Sequence, residues 1–288
     1  MAVGATRSCL YIAIKYAMQR LAVGPKGESD TPIFAFQLQK NSLIPLLARS
    51  ISLGLFHVKC KNVYQNPKGY EREVLSLCCM DKTLNGWNLE RVSSICRERC
   101  GGQGYLSVNK FGDYMAIAHA AVTAEGDNRV LMVKVCKDMK TNIEKFGQQL
   151  PAMTMCPVRQ IAKATDVTTL DILINLLKYR EIMLYQQWMK QLKDLQSQGK
   201  SAYQILMRET SDVMQELALA YGERQTLQYC ISCLSTLRNT TNKQILTQVF
   251  RLFASEIVIR DMTFYMLNGT INEQAHKKLI ETRITLIN

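Results

Sequence analysis

A carboxylate stands beside a lone glycine in Thr-Ala-Glu-Gly-Asp-Asn-Arg, residues 123 to 129. About twenty residues upstream, residues 96 to 107 read Cys-Arg-Glu-Arg-Cys-Gly-Gly-Gln-Gly-Tyr-Leu-Ser. A glutamate at a helix start can do two different things. In the first turn it faces free backbone N–H groups and the positive end of the helix dipole, which favour it as a cap. A carboxylate can also serve as a general acid or base. The pattern at Glu125 leaves both open. A glycine cluster between helices is first of all a turn; its chemical use is bare backbone whose N–H groups a flat or phosphorylated ligand can approach.

Other chemistry is scarce. The ten cysteines and three histidines are scattered, and Cys230-Ile-Ser-Cys233 has C-x-x-C spacing without a second pair. A structural zinc site needs four ligands, so core thiols are expected there and no metal site anywhere. Cys96 and Cys100, four apart, share a helix face. The N-terminal stretch is apolar in a helical rhythm, but Arg7 and Lys15 interrupt it, so a structural helix is expected instead of a signal peptide, and with it a reducing, intracellular compartment. No window offers the ~18 uninterrupted apolar residues of a membrane span. The net charge of +12 suggests an anionic partner. The Lys and Arg residues are spread along the chain without aromatic interleaving, which speaks against nucleic acid and for solvated helix faces, with phosphorylated cofactors or substrates as the functional alternative.

The elements that must position these residues read as helices throughout. Apolar spacing marks helices over about 1–22, 34–63 (with Pro45 inside as a kink or break), 71–82, 86–100 and 126–147, with a loop at 23–32, a glycine-rich loop at 101–112 and a short helix or irregular segment at 113–122. The glycine pair after Cys100 is a helix stop. Residues 147 to 157 read as a linker. Beyond it lie helices at about 166–198, 201–236, 241–267 and 271–285, with apolar faces such as Leu170, Leu173, Leu177, Leu184, Trp188, Leu192 and Ile245, Val249, Phe253, Ile257. The expectation is an all-α chain of two helical domains, 1–150 and 156–288.

The segment from Ile95 to Val135, with Cys-Gly-Gly-x-Gly-Tyr at 100–105 and Glu-Gly-Asp-Asn at 125–128, resembles the C-terminal half of peroxisomal acyl-CoA oxidases, in the acyl-CoA dehydrogenase and oxidase superfamily. Ala-Ile-Lys-Tyr-Ala-Met-Gln-Arg at 13–20, Phe-Gln-Leu-Gln at 36–39 and the late Phe-Tyr-Met-Leu-Asn-Gly-Thr-Ile at 264–271 extend the resemblance over nearly the whole chain. It implies a dehydrogenase-like helical bundle followed by the oxidases' extra helical domain. It also implies that Glu125 is the base that takes the α-proton of a fatty acyl-CoA while a hydride leaves the β-carbon for N5 of FAD. The product is the trans-2-enoyl-CoA, and molecular oxygen then reoxidises the flavin and yields hydrogen peroxide.

By the same resemblance Arg20 and Gln37 reach FAD across the interface of a homodimer, Cys100, Gly101 and Gly102 pass the neighbouring subunit's flavin, and Asp127 and Arg129 are polar FAD contacts. Val23 stands where relatives carry an aromatic. The family's helical and β-barrel domains, which form much of the flavin and acyl pocket, are not among these residues. The peroxisome is implied by the family alone, since the chain ends Arg-Ile-Thr-Leu-Ile-Asn without a Ser-Lys-Leu address. Two other readings stay open: a non-catalytic helical relative that acts as a structural or dimerising subunit, and an acyl-CoA dehydrogenase.

Overall fold

The computed structural model describes residues 1–147 and 167–288. All but the first residue of the expected linker, together with Cys156, lies outside the described residues. In the first half, α1 (Ala2–Gln19) turns the small residues Cys9, Ala13 and Ala17 fully inward. The segment expected to be a loop then forms a hairpin, β1 (Leu21–Val23) against β2 (Ser29–Pro32), with Leu21 opposite Pro32 and Ala22 opposite Thr31. Strands of three and four largely exposed residues, joined by a connection with Gly24, Pro25 and Gly27, carry too little alternation for the sequence to show them. The Ile33 N–H donates back to the Arg20 carbonyl at 2.8 Å, so the hairpin returns the chain to the end of α1.

From there α2 (Gln37–Gln65) runs for 29 residues with Pro45 inside it. The proline removes one backbone donor and does not end the helix. α3 (Val74–Arg99) is one helix where two were expected. Asn85, in the expected break, is buried, and its side-chain amide donates to the Asp81 carbonyl and carboxylate at 3.1 and 2.8 Å. That satisfies a residue that would otherwise favour a turn. α4 (Phe111–Thr123) and α5 (Asn128–Phe146) complete this half. α3 is its central strut: His57 of α2 meets Asp81 at 2.7 Å, Asn88 donates to Ser50 at 3.1 Å and Gln39 donates to the Arg99 carbonyl at 3.0 Å, which sets α2 and α3 antiparallel along most of their length.

The second half holds α6 (Leu170–Ser197), α7 (Ser211–Thr236), α8 (Thr240–Arg260), α9 (Met262–Leu267) and α10 (Glu273–Ile287). A capping box at Ser201 and Gln204 opens a short turn that runs through a π-helical turn, Ile205–Glu209, before α7. The long helix expected over 241–267 is divided at Asp261, whose carboxylate accepts from Arg260 at 2.7 Å and pairs with Arg180 at 2.9 Å. Of its expected apolar face, Phe253 and Ile257 are buried, whereas Ile245 is 56% exposed.

The largest apolar cluster draws on both halves: Phe56, Leu84 and Met132 pack with Trp188, Met214 and Leu217. Ion pairs cross between the same elements. Glu223 accepts a two-pronged bond from Arg260 at 2.7 and 2.8 Å, one from Arg180 at 3.1 Å and one from Arg49 of α2 at 3.3 Å. Arg224 donates to Glu181 at 2.6 and 2.9 Å, and both are buried. The arrangement is all-α apart from the small hairpin. Among the described residues, α2 alone is long and apolar enough to cross a membrane, but half of its most apolar window is buried and it carries Arg49 into this ion network.

Candidate functional site

Glu125 sits in the turn between α4 and α5 with φ at +59°, a left-handed backbone that few non-glycine residues adopt. It is not the cap of α5. That work falls to Asp127, whose Oδ1 accepts the N–H groups of Arg129 at 2.8 Å and Val130 at 3.2 Å. The capping role weighed for Glu125 therefore belongs two residues later, and the Glu125 side chain is left exposed and uncommitted by the helix start. The turn is fastened from α3: Lys82 donates from Nζ to the Gly126 carbonyl and to Asn128 Oδ1, each at 2.6 Å. Burial pulls the Lys82 ammonium down from its ordinary range, opposed by the nearby charges of Asp127 and Glu125. Arg129 lies over the Trp87 ring at 5.4 Å and its carbonyl accepts from Gln215 at 2.8 Å. Asp127 and Arg129 thus both serve the local frame. Nothing in the sequence marked Lys82 for this role, because a single lysine in a helix reads as surface.

The glycine cluster lies at the other end of α3. Cys100 ends that helix, only 2% exposed, with burial pushing its thiol up to about 11. It packs with Cys9, Cys96 and Phe111. Gly101 follows at φ +58°, then a 3₁₀ turn through Tyr105. Gly101 and Gly102 are exposed with open space where a side chain would begin, whereas a Cβ on Gly104 would meet the Arg97 carbonyl oxygen at 2.1 Å. The first two leave bare backbone facing outward, and the third lets the turn fold back against α3. Arg20 and Cys100 line one cleft of about 400 Å³ together with Tyr16, Gln103 and Phe111. Gln37 is the exposed first residue of α2, two positions before the Gln39 side chain that ties α2 to the end of α3. Arg20, Gln37, Cys100, Gly101 and Gly102 therefore gather at one end of the bundle.

Glu125 does not join them. Lys82, which fastens its turn, and Cys100 are 18 residues apart on and at the end of α3; at 1.5 Å per residue that is about 27 Å along the helix axis. Within a single chain the two groups of residues stand apart. The cysteines stay free thiols at the nine described positions, and the described residues contain no cluster of three His, Cys, Asp or Glu able to hold a metal.

Comparison with known proteins assigns the class. Residues 1–139 match the acyl-CoA oxidase C-alpha1 domain model and residues 169–288 match the acyl-CoA oxidase model. The chain therefore belongs to the acyl-CoA oxidase family and corresponds to its C-terminal region. Acyl-coenzyme A oxidase 2, peroxisomal, of Arabidopsis thaliana is 33% identical over 150 residues, 50% of this chain and 22% of that protein. An acyl-CoA oxidase from Lycopersicon esculentum (tomato) superposes with a TM-score of 0.86 at 19% identity, covering 99% of this chain and 46% of the other. Acyl-CoA oxidase-1 of Caenorhabditis elegans, complexed with FAD and ATP, gives 0.84 at 15% identity, over 100% of this chain and 46% of that one. The chain spans less than half the length of these relatives.

Proposed function

We propose that this chain is the catalytic-base-bearing C-terminal part of an FAD-dependent acyl-CoA oxidase, acting on fatty acyl-CoA as a homodimer and completed by the helical and β-barrel parts that its longer relatives possess. The observation that supports this most strongly is Glu125. It is a carboxylate held in a left-handed turn by Lys82, relieved of capping by Asp127 and exposed for a partner surface to cover. Strained non-glycine residues cluster at functional sites.

The residues at the far end of α3 fit a flavin nucleotide. Arg20 offers a fork of donors suited to a pyrophosphate, and Gly101 and Gly102 present backbone without side chains. Gln37 adds a neutral donor and acceptor. Because these lie about 27 Å from the Glu125 turn along α3, one complete site draws Glu125 from one copy and Arg20, Gln37 and Cys100–Gly102 from the other. Asp127 and Arg129 act chiefly by framing the turn.

FAD, when bound, accepts the hydride from the β-carbon and returns the electrons to molecular oxygen as hydrogen peroxide. The chain's own part is the proton: a Glu125 carboxylate oxygen takes it from the α-carbon beside the thioester. Covering the carboxylate removes competing water and sharpens that transfer. The division into 1–150 and 156–288 follows the same proposal, as does a peroxisomal setting. The exposure of Glu125 also favours one second reading, a structural subunit without turnover.

The test is complementation between copies. An Arg20→Ala chain and a Glu125→Gln chain, each supplied with a relative's N-terminal half, are assayed alone and mixed for acyl-CoA-dependent peroxide. Each alone is expected to be nearly silent, and mixing restores activity. Two silent variants that stay silent after subunit exchange, although the unaltered chain is active, overturn the shared site.

A further inference from the structure

A second cleft lies where α2, α3 and α8 meet, with Arg91 midway along α3 between Lys82 and Cys100. It encloses about 170 Å³ and is lined by Arg49 from α2, Arg91 from α3 and Arg260 from α8, with Leu46 and Phe253 among its apolar walls. At ~30 Å³ per water it has room for about five or six waters, or for one oxyanion.

The charges around it do not balance. Arg49, Arg180 and Arg260 share two carboxylates, Glu223 and Asp261, and Arg49 has the longest contact of the three with Glu223, at 3.3 Å. Arg91 is exposed and has no ion-pair partner among the described residues. Glu256, the one acid lining the cleft, is paired with Arg283. Burial pulls the Arg49 guanidinium down; Glu223 opposes this, and the like charges of Arg260 and Arg91 add to it. A partly buried guanidinium crowded by others is a costly arrangement that an anion relieves.

We propose that this cleft binds a phosphate monoester on an apolar carrier. The oxyanion is received by Arg49, Arg91 and Arg260, and the carrier lies on Leu46 and Phe253. A guanidinium fork matches phosphate geometry through paired N–H bonds; Arg91 offers its whole fork, while Arg49 and Arg260, already donating to Glu223 and Asp261, add charge and their remaining N–H groups from two other helices. Occupation ties α8 of the second half to α2 and α3 of the first. The site is separate from the flavin chemistry and needs none of it.

The experiment is calorimetric titration of the full chain at low ionic strength against a chloride background, with phenyl phosphate and inorganic phosphate as probes. Phenyl phosphate is expected to saturate one site and to bind more tightly than inorganic phosphate. Arg91→Gln, at an exposed side chain with no ion-pair partner, keeps the thermal melt unchanged and weakens binding about ten-fold, the loss of one charged fork. Arg20→Ala leaves binding unchanged, which separates this cleft from the one beside Cys100. The proposal is overturned by absence of saturable uptake, by equal binding of the two probes, by undiminished binding in Arg91→Gln, or by loss of binding in Arg20→Ala.

Discussion

At the scale of single residues, the backbone of Glu125 carries the clearest signature of use. A left-handed conformation in a residue with a side chain costs of order 1–3 kcal/mol, and φ here is +59°. Glu125→Gly is therefore expected to raise stability by up to about 1 kcal/mol, a midpoint shift of about 2–4 °C in thermal unfolding, while removing the proposed base; a lower midpoint would show that the turn is unstrained. Lys82→Met removes both bonds to the turn. It should cost about 1–2 kcal/mol and speed amide exchange between residues 125 and 128, and unchanged exchange would show that Lys82 does not hold the turn. Cys100, with its thiol pushed up to about 11, carries almost no thiolate at neutral pH, so iodoacetamide at that pH should leave it unmodified until the chain unfolds. The glutamate and the glycines could be picked out of the sequence by type and spacing. Which acid caps α5 could not, because Glu125 and Asp127 both sit near the helix start and their roles separate only in the structure, through the bonds Asp127 accepts and the φ angle at Glu125.

Among the elements, the long helices were legible because apolar residues recur at helical spacing: Leu173, Leu177, Leu184, Trp188 and Leu192 are all buried on α6. Where the structure departs from the pattern, the reasons differ: Asn85 and Gly86 suggest a break that the Asn85 side chain prevents by bonding back to Asp81 within the helix, and the hairpin at 21–32 is too short and too exposed to carry a pattern. Asp261 ends α8 through its ties to Arg180 and Arg260, which no local rule reveals. The turn at the end of α3 depends on Gly104, where any Cβ would lie 2.1 Å from the Arg97 carbonyl oxygen. Gly104→Ala must shift backbone to relieve that overlap, at a cost of about 1–3 kcal/mol. Chemical denaturation measures it, and an unchanged midpoint would mean that the turn relaxes freely.

At the scale of the whole molecule, the described residues of the two sequence halves share a core and a buried charge network. The acids and arginines of that network were visible as Arg180-Glu181 and Glu223-Arg224 within apolar helices, but not their pairing, which is set by how α2, α6, α7 and α8 approach. Burial alone would raise the Glu223 carboxyl; the guanidiniums of Arg260, Arg180 and Arg49 outweigh it and hold it well below the ordinary range. A depressed carboxyl stabilises fully above its unfolded value, about 4.3, and that contribution is lost as pH falls below it. Acid unfolding of the chain should therefore steepen below about pH 4. Glu223→Gln should flatten that limb and cost about 3–5 kcal/mol at neutral pH, because it leaves Arg49 without a carboxylate and Arg180 and Arg260 with Asp261 alone.

The proposed role of Glu125 is tested most directly by acyl-CoA-dependent peroxide formation by the chain completed with a relative's N-terminal half, compared with its Glu125→Gln variant at equal flavin content. A loss of about 10²–10⁴-fold with the flavin spectrum unchanged is expected; undiminished peroxide from the Gln variant would contradict that role.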